Sequence, residues 1–440
     1  MLTPTTDTDY NEASREVHVK LSIYFEDKPL DVSIDNYLIS ATLLEEAQAE
    51  SQTILGQVSS NELSFDLYND TGIFTPTNTN SPYYGKIKKD IKVKAYGRAG
   101  VDTSWDELGT FYVKSWSTAA SGLVASVTAN DKLYDVFDAP VPPYKVTKDV
   151  SVQDLLESYF AALGVEATLR GDFGHMLQYA YVGTNNKTFL NDLTNGALAM
   201  CYGNRRDGVD IISRLDSHKL RATITDNDQI IDITTSQTID AGYDGVSVTC
   251  NSKQESTNGV ILAIKGQVLE PGDTALTNLN IVEGPIVRLG YAETLGVGTT
   301  FAKKVTASPY HVNLHMVNEE AVAQVVDINV AGTVLQTISS VEADKGNNLL
   351  ELDSNYIQTP AQCSEVARYL RKAIKVATPT LNVETRGNFK LLLGDMIHVQ
   401  SDKFKVDFMG VIIRSRYSYE GGLKCSLTVM DAKLFGEVIQ

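Results

Sequence analysis

The chain has 440 residues, too many for one ordinary hydrophobic core, so several domains are expected. Hydrophobic residues at 43% and charged residues at 21% match a folded protein and exclude disorder over most of the length. The net charge of −17 argues against tight nucleic-acid binding, which draws on a basic excess.

Residues 1–14 are polar and acidic and lack the basic start and apolar run of a secretory signal, so synthesis and folding in a cytoplasm are expected. In residues 16–24, Val17, Val19, Leu21 and Ile23 alternate with polar neighbours at the period of a half-buried strand. The same alternation recurs at Leu63, Phe65 and Leu67, at Ile91, Val93 and Ala95, and at Leu123, Ala125 and Val127. Turn clusters such as Asn69-Asp70-Thr71-Gly72 and Thr75-Pro76-Thr77-Asn78 separate these runs. Short strands with no helical pattern among them predict a barrel or sandwich over residues 1–145, ending at the stiff connector Pro140-Val141-Pro142-Pro143.

Residues 146–240 change character. Ser151 is a candidate N-cap with Asp154 at the third helical position. Val152, Leu155, Leu156, Tyr159, Phe160 and Leu163 then recur at helical spacing, and Gly164 closes the helix. A second helix is expected from Thr188, carrying Phe189, Leu190, Leu193 and Leu198. Asp207-Gly208 reads as a hairpin turn leading into Val209-Asp210-Ile211-Ile212, and the whole as a small α/β unit.

Strands return near Tyr243, with Val246, Val248 and Cys250 alternating before Val260-Ile261-Leu262-Ala263-Ile264. Residues 270–300, rich in Gly, Pro, Thr and Asn, read as loop. Residues 306–377 read as an α/β insertion whose last helix is the clearest element. Thr359 is its N-cap, Pro360 its first residue and Gln362 the completion of a capping box. Cys363, Val366, Ala367, Leu370, Ala373 and Ile374 form its apolar stripe, and Thr378-Pro379 stops it. Residues 378–440 are β again: Met396-Ile397-His398-Val399 follows Gly394-Asp395, and two further runs flank the turn Glu420-Gly421-Gly422. The expected fold is mainly β with α/β inserts. The first and last β parts are candidates for two versions of one barrel.

Four stretches resemble the hub proteins of phage tails and related contractile machines: contractile-phage baseplate hubs, the amino-terminal part of siphophage tail-associated proteins, and the base of type VI secretion spikes. The first is Phe65-Asp66-Leu67-Tyr68-Asn69-Asp70 with Phe74-Thr75-Pro76 and Asn80-Ser81-Pro82-Tyr83-Tyr84. The second is Leu108-Gly109-Thr110-Phe111-Tyr112-Val113. The third runs from Thr188-Phe189-Leu190 to Arg206-Asp207-Gly208-Val209-Asp210-Ile211. The fourth is the helix over 361–374 leading to Leu393-Gly394-Asp395-Met396-Ile397-His398-Val399. The resemblance implies two tube-type β-barrel domains, 1–145 and 241–305 with 378–440, and two small α/β domains, 146–240 and 306–377. It further implies a homotrimer forming a ring of six-fold-like symmetry in a virion tail. Its implied partners are a tail tube or distal tail ring, a central spike or fibre, and a tape-measure protein. DNA would pass through the lumen without specific binding, and an acidic lumen would repel its phosphates.

The chemistry of catalysis is sparse. Cys201, Cys250, Cys363 and Cys425 are widely spaced and form no CxxC, so they read as buried thiols rather than disulfides or zinc ligands. His311 and His315 are four apart, but their surroundings look extended, which would hold the rings about 13 Å apart, too far for one metal ion. Gly296-Val297-Gly298 lacks the rest of a dinucleotide fingerprint and reads as a loop. Asp207 and Asp210 flank a turn, which explains them better than a carboxylate pair does. Lys86, Lys88, Lys89, Lys92 and Lys94 read as a solvated strand face, with a contact to a neighbouring subunit or DNA as the functional alternative. Trp105 and Trp116 read as core or interface residues rather than sugar platforms. No catalytic residue, cofactor or metal is expected. The competing readings are a carbohydrate-binding or adhesive β protein that contacts a host surface, and a cell-wall hydrolase.

Overall fold

The computed structural model describes residues 10, 15–26, 28–49, 54–100, 104–119, 122–226, 230–236, 242–281, 284–295, 302–376, 380–436 and 438–439. The loop reading at 296–298, the helix stop at 378–379 and most of the acidic start lie outside them. The molecule is mainly β with small helical parts, as expected.

The amino-terminal strands are β1 (Val17–Tyr24), β2 (Pro29–Ser33), β3 (Leu38–Glu46), β4 (Glu62–Tyr68), β5 (Lys92–Ala99), β6 (Asp106–Thr118) and β7 (Val124–Asn130). A short helix that the alternation did not suggest, α1 (Lys132–Asp138), follows them. The buried carboxylate of Asp131 caps it, accepting from Leu133 N at 3.1 Å.

The next unit comprises β8 (Thr147–Ser151), α2 (Val152–Ala162), β9 (Ala167–Arg170), β10 (Met176–Ala180), α3 (Asn186–Gly196), β11 (Ala199–Gly203) and β12 (Val209–Ser213). Ser151 caps α2 as expected, accepting from Asp154 N at 3.0 Å. The helix expected from Thr188 starts two residues earlier because Asn185 caps it, accepting from Thr188 N at 2.9 Å. Leu198 falls past its end, in the left-handed region at φ 50°.

Then come β13 (His218–Thr225), β14 (Ile230–Ser236), β15 (Gly245–Leu269), β16 (Gly272–Asn280), β17 (Ile286–Leu295), β18 (Ala302–Ala307), β19 (His311–Asn318), β20 (Gln324–Ala343) and β21 (Leu349–Asp353). Residues 270–300 therefore hold two strands where loop was expected. Their local composition is that of a turn region, but β19 and β20 supply the ladders from afar. Leu276 and Leu279 on β16 pack into a small core with Val312 and Leu314 of β19. Strands within 241–305, expected in the second barrel, pair with strands of 306–353 in two separate sheets.

The chain closes with α4 (Pro360–Ala373), β22 (Thr380–Thr385), β23 (Met396–Ser401), β24 (Val406–Tyr419), β25 (Leu423–Asp431) and β26 (Val438–Ile439). Thr359 caps α4 and accepts from Gln362 N at 3.2 Å. The Gln362 side chain reaches back to the N–H of Gln358, one residue beyond the expected box, at 3.1 Å. The expected apolar stripe is buried, with Val366 and Leu370 in the main core. Each such side chain stabilises by about 1.5–3 kcal/mol.

The first and last β parts are one object. A single sheet runs β14-β22-β25-β24-β3-β4-β7-β6-β5-β1-β2, with β23 joining β24 to β13. The seam is the antiparallel pairing of β24 with β3, from Arg414 opposite Glu46 to Tyr419 opposite Ala41. One apolar core lies beneath both halves, from Leu21, Phe65 and Leu67 to Val399, Val411 and Leu427. Alternation is clean on β4, which buries Leu63, Phe65 and Leu67 and leaves Glu62, Ser64 and Asp66 part-exposed, whereas β1 and β25 also bury Ser22, Thr428 and Asp431.

Candidate functional site

Where the β3–β24 seam meets the α/β unit, the hairpin of β11 and β12 drives an arginine into the core. Its turn is shaped by Asn204, whose side-chain oxygen accepts from Arg206 N at 2.9 Å and Gly208 N at 3.0 Å. Asp207 takes the left-handed conformation at φ 66°, which an Asp tolerates well. Its carboxylate accepts from Tyr112 OH of β6 at 2.8 Å, tying the turn to the first β part.

Arg205 forms a two-pronged pair with Glu45 of β3: Nε to Oε1 and Nη2 to Oε2, both 2.7 Å. It also donates to the carbonyls of Leu391, at 3.2 Å, and of Phe389. Ser415 of β24 donates to the same Glu45 carboxylate at 2.9 Å. Tyr417 OH reaches the carbonyls of Asn388 at 3.0 Å and Leu391 at 3.3 Å. Burial alone disfavours the Arg205 charge, yet the Glu45 carboxylate outweighs it and holds the guanidinium firmly protonated. Three parts of the chain, far apart in sequence, thus share one buried ion pair.

A second knot sits beside it. Asp131 accepts from Asn61 N at 2.9 Å, and Asn61 Nδ2 donates to Gly203 O at 2.7 Å. Burial pushes the Asp131 carboxyl up to about 7, against the lowering effect of the N–H groups of Asn61, Tyr134 and Leu133. Arg214, 2% exposed, donates to Gln48 Oε1 at 2.5 Å and to Met430 Sδ at 3.2 Å, bridging the two β parts again.

A cleft of about 150 Å³ opens here, lined by Glu45, Arg170, Tyr202, Asn204, Arg205 and Asp210 among others. Its charged groups are held by one another: Asp210 takes Arg170 at 2.5 Å and Asn204 at 2.8 Å. Asp210 is therefore a strand residue in an ion pair, and Asp207 is a turn residue bound to Tyr112. The two carboxylates do not face a common reactant position. The arrangement fastens elements together and offers no nucleophile beside a base.

Other residues singled out from the sequence are scattered. His311 and His315 lie on extended β19, and among the described residues no group of three or more His, Cys, Asp or Glu is placed to hold a metal ion. The four cysteines are free and buried. Lys92 and Lys94 lie on β5, while Lys86, Lys88 and Lys89 fall in the turns before it. Lys86 pairs with Glu26 at 3.1 Å and Lys94 with Glu107 at 3.2 Å. Trp116 is half-buried and donates to Phe74 O at 2.9 Å, among the rings of Phe25 and Phe74.

The sequence reading missed Glu45, Arg205 and Arg214. Glu45 did carry a signal: it has the inward parity of Ala41 and Leu43 on β3 and of Ala47 just past its end, where a carboxylate needs a buried partner.

No family model and no curated protein matches this chain. Solved structures do match it, over nearly the whole length. The 43 kDa tail protein of prophage MuSo2 from Shewanella oneidensis aligns with a TM-score of 0.55 at 10% identity, covering 96% of this chain and 99% of that one. The tail protein from Neisseria meningitidis MC58 aligns with a TM-score of 0.54 at 9% identity, covering 96% and 98%. This chain shares their fold.

Proposed function

We propose that the chain is a structural subunit of a phage-type tail, the hub at the tail tip or baseplate, and that three copies close into a ring around the DNA channel. The observation that carries this reading is the whole-chain likeness to two tail proteins, with almost nothing left over on either side. The joined sheet supports it. Two β parts fused edge to edge form a wide curved wall whose two ends, β2 and β14, have no further strand beside them among the described residues. A wall of this kind, repeated around a three-fold axis, closes a ring without a catalytic pocket. The two tube-type modules would then be β1–β7 and the group β13, β14 and β22–β25. The tail tube or distal tail ring would sit on one side and the spike or fibre on the other, with the tape-measure protein and later DNA in the lumen.

The test is capping. The purified chain is mixed with a preformed tail tube or distal tail ring of the same tail and imaged by electron microscopy. Density seated on one end of the tube supports the hub. Absence of binding together with binding or cleavage of glycans points to the adhesive or hydrolytic reading.

A further inference from the structure

The open face of the large sheet carries a cavity that the hub reading does not use. It measures about 140 Å³ and is bounded by His18 and Lys20 of β1, Arg98 of β5, Trp105 and Asp31 of β2, among others. His18 and Arg98 are direct cross-strand partners, so their side chains leave the sheet about 5 Å apart on one face. Lys20 stands two residues along the same face, about 7 Å from His18.

Three nitrogen-bearing side chains therefore converge, with carboxylates beside two of them: Asp31 stands 3.7 Å from Lys20 and Glu16 stands 3.8 Å from His18. The guanidinium of Arg98 lies 4.5 Å from the Trp105 ring centroid and the Lys20 ammonium 5.1 Å from it. Of the carboxylates at the cavity, Asp31 already accepts from Ser22 Oγ at 2.5 Å and stands 3.7 Å from Lys20, and Asp35 lies at the rim. His18 Nε2 and Arg98 Nε are both buried and have no hydrogen-bond partner. A buried ring nitrogen and a buried guanidinium N–H, each left without a hydrogen-bond partner, are both unfavourable. Both conditions are relieved by one bound group: an anion with several oxygens.

We propose that this cavity is an oxyanion site, taking a phosphate or a carboxylate on His18, Lys20 and Arg98 beside the Trp105 ring. The cavity is of the size of a small anion with a few waters, and nitrogen donors from three side chains around one point, two of them the cations Lys20 and Arg98, suit oxygens of a single anion.

The chain has 2 tryptophans, and Trp116 lies away from the cavity among aromatic rings, so Trp105 serves as a built-in reporter. The intact protein, in a buffer free of both anions, is titrated with inorganic phosphate and separately with succinate, against sodium chloride at matched ionic strength. Tryptophan emission is followed. The expected result is a saturable change with at least one of the two anions, absent in Trp105→Phe. Arg98→Gln and Lys20→Met, each checked for native circular dichroism, should weaken binding about tenfold or more. Saturation by phosphate alone, by succinate alone or by both tells which oxyanion the site takes. A response that follows ionic strength only, that persists in Trp105→Phe, or that is unchanged in both cation variants overturns the proposal.

Discussion

Replacing Arg205 with Met tests whether the buried pair holds the two β parts and the α/β unit together. The side chain keeps its length and loses two 2.7 Å bonds to Glu45 and its bonds to the Phe389 and Leu391 carbonyls. Glu45, whose side chain is 4% exposed, then stays buried without its cation. Breaking a buried pair on one side costs about 3–5 kcal/mol, because the surviving charge keeps its desolvation penalty. Glu45→Leu should be comparably harmful, stranding Arg205 instead. The double variant should lose less than the sum of the two, by about 1–3 kcal/mol, since both charges leave together. The assay is urea unfolding of wild type and the three variants, followed by circular dichroism and tryptophan emission together, so that separate domain transitions are recognised. Strictly additive losses, or an Arg205→Met change under about 0.5 kcal/mol, would refute the reasoning.

Three further perturbations follow from the same region. Gly203→Ala places a methyl 1.8 Å from Asp131 Oδ2, so a loss of about 1–3 kcal/mol or more is expected in melting experiments, whereas an unchanged melt would show that the hairpin shifts freely. Tyr417→Phe removes a hydroxyl that serves the Asn388 and Leu391 carbonyls and should cost about 0.5–1.5 kcal/mol, read from the urea midpoint. Asp131 holds its proton to about 7 when folded but releases it near 3.8 when unfolded, so folding takes up a proton between those values and stability falls as pH rises across them. The full effect is on the order of 4 kcal/mol. His218, whose pKa burial lowers from 6.5, acts in the opposite sense, losing stability as pH falls below that value. It is common to both proteins when wild type is compared with Asp131→Asn. The wild-type excess stability should therefore shrink from pH 4 to pH 7, and a difference flat in pH would contradict the assignment.

Three of the four α-helices among the described residues, and strands with a clear alternation of their own, were legible because their signals are local. Val17 to Ile23, Leu63 to Leu67 and the Thr359-Pro360 start of α4 each carry a period or a cap within a few residues. What escaped was set at a distance. The 270–300 segment looks like loop until β19 and β20 lie beside it, since the ladder partners of Leu276 and Leu279 are Leu314 and Val312. The helix α1 has only 7 residues, and its stability rests on Asp131 and on Leu133 and Val136 in a core built by later residues. The fusion of the two β parts was invisible for the same reason: the register of Tyr419 on Ala41 joins residues 378 positions apart in a pairing that neither strand's alternation specifies. At the junction, Asp207 and Asp210 were noticed for their turn, but Arg205 beside them was not. Its role depends on Glu45, Ser415 and two carbonyls that no spacing rule connects.

The hub reading rests finally on assembly. The direct measurement is the solution mass of the purified chain by light scattering, alone and with its tail-tube or distal tail ring, with electron microscopy of the same samples. The expected result is a closed three-fold ring with an axial hole, at three times the 48.1 kDa chain mass, formed alone or on the partner ring. A monomer in both samples, with no density on the partner, would contradict it.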